Sequence, residues 1–178
     1  IDGFKKGQDI HRRTASEVFG IPLDDVTSEQ RSHAKAVNFG IIYGISDFGL
    51  ARNISISRKQ AKEYIESYFA RYNCVHGYME KLVSEARESG MTHTMFGRIR
   101  ALPEINSKNF TRRSFAERTA MNTPIQGSAA DIIKLAMNAV QDELEQRGLR
   151  SRILVQVHDE LVLEVPEAEK AEVERLLK

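Results

Sequence analysis

The sequence predicts an α+β fold that is mostly helical, with an antiparallel β-hairpin late in the chain. Two segments, Thr27–Gln30 and Ser57–Gln60, have the spacing of a capping box, in which a Ser or Thr precedes a Glu or Gln by three residues at a helix start. Residues 152–165 are rich in β-branched and aliphatic residues, which favour strands. Helices therefore dominate the first half, and a hairpin follows them.

Three helices are predicted in the first half. The first covers residues 27–43, where Gly44 can end it, and the second covers residues 57–72. The third has apolar residues at helical spacing and ends near Gly90. Residues 91–103 then alternate in character and close on a proline, which predicts a short hairpin.

The second half predicts a long interrupted helix and the main hairpin. The helix begins near Arg112, is interrupted near Pro124, and is capped by Gly148. Two β-rich runs within residues 152–165 then surround an acidic tip, and Pro166 begins another helix.

Composition excludes several classes of protein. Hydrophobic residues make up 41% and charged residues 29%, as in ordinary globular proteins. No apolar run approaches the roughly 18 residues that span a bilayer, so no membrane partner is predicted. The single cysteine, Cys74, excludes a disulfide framework, and no secretion signal is seen, which predicts a cytoplasmic protein. No feature indicates an oligomeric state.

Charge is unevenly distributed, although the formal net charge is +1. Residues 31–62 and 91–118 are basic, whereas the chain from His158 onward is acidic. This asymmetry suits a polyanion on one side and a cation on the other. It equally suits a solvated surface of uneven charge.

One face of the first predicted helix carries two cations and two aromatic rings. Successive members of this set are four residues apart, so each advances about 40° and together they cover a stripe about 120° wide. The stripe consists of Arg31, Lys35, Phe39 and Tyr43. The opposite side, where a core would lie, carries Ala34, Val37 and Ile41. Cations for phosphates and a ring for the sugar and base suit a nucleotide, although a surface cation pair beside half-buried rings has the same pattern.

The segment that begins at Arg31, RSHAKAVNFGIIYG, resembles the fingers helix of family A DNA polymerases. That resemblance implies that Arg31 and Lys35 hold the triphosphate of the incoming deoxynucleotide, and that Lys35 is the proton donor to the leaving pyrophosphate. It implies that Phe39 packs on the sugar and that Tyr43 closes the pocket beside the template base. The preceding Asp-Ile-His also matches, so His11 is implied as a phosphate contact.

An acidic tip separates the two predicted strands. If both are extended, Asp159 and Glu160 point to opposite faces, so they are unequal ligands for a metal. We interpret Asp159 as the Mg²⁺ ligand and Glu160 as a secondary catalytic carboxylate, although Asp-Glu pairs also occur as plain turn residues. Residues 154–160 resemble the family's palm motif, whose Asp binds both metals. His158 is implied to lie near the primer end.

A third segment, residues 113–131, resembles the family's contact with the primer–template. It implies that Arg118, Asn122 and Gln126 contact the minor groove and the template. Minor-groove acceptors are shared by all base pairs, so such contacts test the shape of a pair without reading its sequence.

The resemblance covers essentially the whole chain, with residues 1–108 as a fingers-like subdomain and 109–178 as part of a palm. It implies template-directed DNA synthesis, in which a deoxynucleotide is transferred from its triphosphate to a primer 3′-OH by two Mg²⁺ ions. The implied partners are a DNA primer–template and deoxynucleoside triphosphates.

The family's other metal-binding Asp motif has no counterpart in this sequence, so one arm of the two-metal site is expected here. We therefore expect an internal fragment of a longer polymerase that is inactive alone. Two alternatives stay open: a single-subunit RNA polymerase, which shares the Arg, Lys and Tyr-Gly pattern, and a non-catalytic fragment that binds nucleotide and DNA.

Overall fold

The computed structural model describes the backbone of residues 2–178 and the side chains of residues 3–178. The α-helices of this part are α1 (Asp2–Lys5), α2 (Ile10–Phe19), α3 (Ser28–Ile42), α4 (Asp47–Asn53), α5 (Arg58–Arg71), α6 (Asn73–Ser89), α7 (Phe110–Asn122), α8 (Ser128–Gln146) and α9 (Lys170–Leu176). The strands are β1 (Met91–His93), β2 (Ile99–Ala101), β3 (Arg152–Val157) and β4 (Glu160–Glu164), which form two antiparallel hairpins. The predicted α+β, mostly helical fold is confirmed.

Both capping boxes form as predicted. At the start of α3, Oγ1 of Thr27 accepts from the N–H of Gln30 at 3.2 Å, and Oε1 of Gln30 accepts from the N–H of Thr27 at 2.9 Å. Ser57 and Gln60 exchange the same two bonds at the start of α5. These bonds satisfy N–H groups that have no partner within the helix, which is why the predicted starts are accurate.

Besides the four-residue α1, two helices, α2 and α4, were not predicted from the sequence. Both are short, at 10 and 7 residues, and their signals are end caps. Oδ1 of Asp9 accepts from the N–H groups of His11 and Arg12 to start α2. Oγ of Ser46 accepts from the N–H of Gly49 to start α4. In the sequence, each of these helices is indicated only by an Asp or Ser at its N-cap, followed by a weak apolar pattern.

The interruption predicted near Pro124 is a π-helical turn, Thr123–Gly127, that follows α7 and leads into α8. Proline has no N–H to donate, and its ring clashes with the carbonyl four residues earlier in a regular α-helix. A wider i→i+5 turn accommodates it without ending helical structure. The chain therefore changes from α-helix to π-helix around Pro124 and stays helical throughout.

The chain divides into two compact units. The first contains the residues up to Thr92 together with Arg100–Asn122, and the second contains His93–Ile99 together with Thr123–Lys178. These units are defined by packing, and the subdomain boundary expected between residues 108 and 109 stays a prediction. None of the helices in the described residues is long and apolar enough to cross a membrane.

The core of the first unit supports the exposed stripe of α3. Its largest cluster contains Val37, Ile41, Leu50, Ala51, Ala61 and Tyr68. A second cluster contains Ala86, Leu102, Ile105, Ala116 and Ala120, and a third contains Ala15, Val26 and Ala34. Ala34, Val37 and Ile41 are 0%, 3% and 4% exposed, so the predicted buried side of α3 is confirmed.

Leu50→Ala is expected to destabilise the first unit by about 2–5 kcal/mol, because it removes a fully buried side chain and leaves a cavity. Leu135→Ala on the exposed side of α8 is the matched control, with an expected change within about 0.5 kcal/mol. Urea unfolding followed by circular dichroism measures both. Equal midpoints for the two variants would contradict this core.

Candidate functional site

The stripe on α3 faces outward from the first unit. Lys35 is exposed, and Phe39 and Tyr43 keep 47% and 46% of their surface accessible. Large exposed rings on a helix whose other side is buried are available to a ligand. Tyr43 caps the helix C-terminus, where its N–H donates to the Phe39 carbonyl at 3.1 Å.

A cavity of about 850 Å³ lies against this stripe, entirely within the first unit. Lys35, Phe39 and Tyr43 contribute a cation and two rings, and Ser114 and Arg118 contribute polar groups from α7. The other lining residues are Ser32, Ala36, Gly40, Gly44, Ile45, Ser46, Gly49, Asn53, Ile54 and Phe110. The structure thus brings together predicted nucleotide contacts and Arg118, which the sequence analysis assigned to DNA.

Gly44 allows α3 and α7 to approach each other closely. Its φ of +64° lies in the left-handed region, and a Cβ atom there would come within 2.8 Å of Cγ of Arg118. Nη1 of Arg118 donates to Oγ of Ser114 at 2.9 Å, so the guanidinium is held along α7. Any larger residue at this position would force the side chains of Met121 and Arg118 to shift.

Arg31 is held by an ion pair with Asp9, in which Nε lies 2.6 Å from Oδ2. This hydrogen bond, together with backbone N–H groups of α2, lowers the pKa of the Asp9 carboxyl below its usual range. The pair ties α3 to the start of α2 and leaves the Nη groups of the guanidinium for other contacts. This partner lies 22 residues away in the chain, so no local sequence signal predicts it.

His11 lies beside the same stripe, with its ring centroid 5.6 Å from that of Phe39. Its Nδ1 is 3.1 Å from Nδ2 of Asn38. Burial lowers the pKa of the imidazole, the charges of Arg31 and Lys35 lower it further, and the charge of Asp9 opposes them. No role was predicted for Asn38. The one sequence feature that could have indicated a role is that this polar amide lies next to a buried position of α3.

The acidic tip belongs to the second unit. Val157 pairs with Glu160, so His158 and Asp159 form a two-residue hairpin loop. His158 has a φ of +53°, a conformation that favours glycine. Nε2 of Gln156 donates to the His158 carbonyl at 2.7 Å and holds this loop.

Both tip carboxylates are exposed, and neither the Asp159 nor the Glu160 side chain forms a hydrogen bond or ion pair with any residue from 3 to 178. Hard oxygen donors of this kind are those that Mg²⁺ prefers, so the tip fits that ion. Within the described residues, no group of three or more His, Cys, Asp or Glu side chains is placed to hold a metal. The two carboxylates of the tip are therefore fewer than the six oxygen ligands that Mg²⁺ takes.

Gln126 is exposed on the π-helical turn of the second unit. Arg98 braces this turn, because its Nε donates to Oδ1 of Asp131 at 2.7 Å and its Nη2 donates to the Gly127 carbonyl at 2.9 Å. The hydroxyl of Ser128 also donates to the carbonyl of Pro124. No role was predicted for Arg98, because its partner lies 33 residues later in the chain.

Asn122 is half-buried at the end of α7, and its Nδ2 has no acceptor among the described residues. A buried amide nitrogen without an acceptor is energetically unfavourable and is uncommon in folded proteins. It marks Asn122 as a position where a ligand or a further part of the protein can supply an acceptor.

The sequence profile of DNA polymerase family A matches residues 1–178. The chain belongs to DNA polymerase family A. It is 56% identical to DNA polymerase I of Lactococcus lactis over 179 residues, which cover 100% of this chain and 20% of that protein. It is 56% identical to DNA polymerase I of Geobacillus stearothermophilus over 176 residues, which cover 99% of this chain and 20% of that protein.

A solved structure, the POL domain of Pol1 from M. smegmatis in complex with DNA primer-template and dNTP, superposes with a TM-score of 0.92. The two are 49% identical, and the match covers 99% of this chain and 31% of that one. The chain spans about a fifth of the length of the two DNA polymerase I relatives.

Proposed function

We propose that this chain is the part of a template-directed DNA polymerase that binds the incoming deoxynucleotide and supplies one arm of the metal site. The observation that carries the proposal is the cavity that Lys35, Phe39 and Tyr43 share in a chain of family A. The relatives are DNA polymerases, and the solved neighbour is a complex with primer-template and dNTP.

The triphosphate would lie along the charged end of the α3 stripe. Lys35 binds the phosphates and donates a proton to the leaving pyrophosphate, while Arg31 and His11 add donors beside it. Phe39 packs on the sugar, and Tyr43 closes the end of the cavity beside the template base. The exposure of Lys35, Phe39 and Tyr43 supports these roles.

The contacts proposed for the primer–template are α7 in the first unit and, in the second unit, the π-helical turn and the hairpin tip. Arg118, Asn122 and Gln126 would test the shape of the newly formed pair through the minor groove. His158 would lie near the primer end. The exposure of Gln126 and the buried, unpaired amide of Asn122 support a ligand here.

Asp159 would hold Mg²⁺, with Glu160 as a secondary carboxylate. When bound there, Mg²⁺ would neutralise negative charge on the phosphates. The loop held by Gln156 keeps the Asp159 carboxylate at the exposed end of the hairpin. The subdomains at residues 1–108 and 109–178 and a cytoplasmic place of action belong to the same proposal.

Primer extension by the longer protein that carries this chain tests the proposal. We expect incorporation of the deoxynucleotide that the template specifies, in the presence of Mg²⁺. Preferential incorporation of ribonucleotides would instead indicate an RNA polymerase, an alternative that none of the comparisons favours. The 178-residue chain alone is expected not to extend a primer, and robust extension by it, lost in Asp159→Ala, would contradict the one-arm proposal.

Phe39→Tyr is expected to ease incorporation of dideoxynucleotides, because a hydroxyl on this ring can replace the contact that the absent sugar 3′-OH would make. Competition between a deoxynucleotide and its dideoxy analogue in the longer protein measures the ratio. Phe48→Tyr, on an exposed ring outside the cavity lining, is the matched control. An unchanged ratio for Phe39→Tyr would count against the sugar contact.

A further inference from the structure

Asn38 links α3 to two side chains of α2. Its Nδ2 lies 3.1 Å from Nδ1 of His11 and 3.1 Å from Oγ1 of Thr14. The Thr14 hydroxyl donates its own hydrogen to the Ile10 carbonyl at 2.9 Å, so its oxygen is an acceptor toward Asn38. Asn38 therefore directs one amide hydrogen to Thr14 and the other to His11.

A donor pointing at Nδ1 requires a lone pair on that nitrogen. A neutral imidazole carries its proton on one nitrogen and a lone pair on the other, so His11 is protonated at Nε2. Protonation of Nδ1 would require the Asn38 amide to turn over, so that its oxygen faces the ring. The Thr14 hydroxyl would then have to leave the Ile10 carbonyl to satisfy the reversed amide.

The surrounding charges also favour the neutral form of the His11 imidazole. The charged groups that face His11 are Arg31 and Lys35 from α3 and Asp9 from the N-cap of its own helix. Asp9 is itself paired with Arg31, so an imidazolium here would add a positive charge to a surface that is already cationic. Burial of the ring further opposes the charged form.

We propose that Asn38 is a positioning residue that holds His11 neutral as the Nε2–H tautomer, which keeps one ring N–H for a phosphate oxygen of the incoming nucleotide. The phosphate as ligand rests on the proposed function, and the tautomer rests on this chain alone. Arg31 and Lys35 supply the charge, and His11 supplies a directed, neutral donor. Asn38 acts only through His11.

The tautomer is measured in the 178-residue chain with ¹⁵N-labelled histidine and no nucleotide, by long-range ¹H–¹⁵N correlation across the imidazole. His11→Gln identifies the signals of His11 among the five histidines. Above the titration midpoint we expect a protonated Nε2 and an unprotonated Nδ1. A predominant Nδ1–H form, or signals averaged over both tautomers, would overturn the proposal.

Asn38→Asp replaces the amide donor with a carboxylate of nearly the same shape. It is expected to protonate Nδ1 and to raise the titration midpoint of His11 by about one to three pH units. Asn73→Asp, the same change at an exposed position of α6, should leave the midpoint in place. An Asn38→Asp variant that titrates like the unmodified chain would contradict the role of Asn38.

Thr14→Val is a second variant that leaves Asn38 intact and removes the acceptor that orients its amide. The single Nε2–H tautomer should give way to a mixture, and an unchanged tautomer would overturn the network. These readouts need no nucleotide, so they fail or hold separately from the proposed function. Normal primer extension by Lys35→Ala, with the tautomer as predicted, would contradict the proposed function alone.

Discussion

Lys35→Ala in the longer protein that carries this chain is expected to slow primer extension by about two to three orders of magnitude. Lys35 is an exposed cation that lines the cavity together with Phe39 and Tyr43. Loss of one preorganised group that stabilises transition-state charge slows a reaction by about this amount. Single-turnover incorporation of one deoxynucleotide measures the rate, and its dependence on nucleotide concentration measures binding.

The affinity for primer–template is expected to change little in the same variant, because Lys35 is assigned to the triphosphate. Lys59→Ala is the matched control: its side chain is 87% exposed on α5 and does not line the cavity. It should extend primers at the normal rate. Near-normal turnover of Lys35→Ala would contradict the assignment, and equal losses in both variants would indicate a general effect of charge.

Asp159→Asn is expected to lower the extension rate of the longer protein by about 10²–10⁴-fold. The change keeps the size of the side chain and removes the charge that would hold Mg²⁺. A bound metal ion stabilises transition-state charge by several kcal/mol. Each difference of about 1.4 kcal/mol corresponds to a tenfold change in rate. The free carboxylate at the hairpin loop is the basis for this expectation.

Glu160→Gln is the informative comparison, because it removes the neighbouring charge from the first position of β4. We expect a smaller loss than for Asp159→Asn, since the two side chains take unequal parts in metal binding. Primer–template affinity, measured by fluorescence anisotropy, serves as the control for folding. Full activity in Asp159→Asn, or a larger loss in Glu160→Gln, would reverse the assignment.

Local signals predicted the elements that carry the site. The capping box at Thr27 set the start of α3, and four-residue spacing placed Lys35 and Phe39 on one exposed stripe. Alternation and turn chemistry placed Asp159 at a hairpin tip. Such signals act within a few residues of each other, so they can be read directly from the sequence.

Long-range pairs could not be predicted in this way. Arg31 meets Asp9 across 22 residues, and Asn38 meets His11 across 27. Each pair depends on how α2 packs against α3, which neither periodicity nor capping determines. For the π-helical turn at Pro124, the sequence predicted only an interruption of the helix. Proline disfavours a regular α-helix at this point but does not determine which conformation replaces it.

The most direct test of the central claim is a titration of the ¹⁵N-labelled 178-residue chain with dATP and Mg²⁺, followed through backbone amide shifts. We expect the largest changes at His11, Arg31, Lys35, Phe39 and Tyr43, and we expect them to disappear in Lys35→Ala but to persist in Lys59→Ala. Changes located elsewhere, or identical in the unmodified chain and Lys35→Ala, would contradict the claim that the α3 stripe binds the incoming nucleotide.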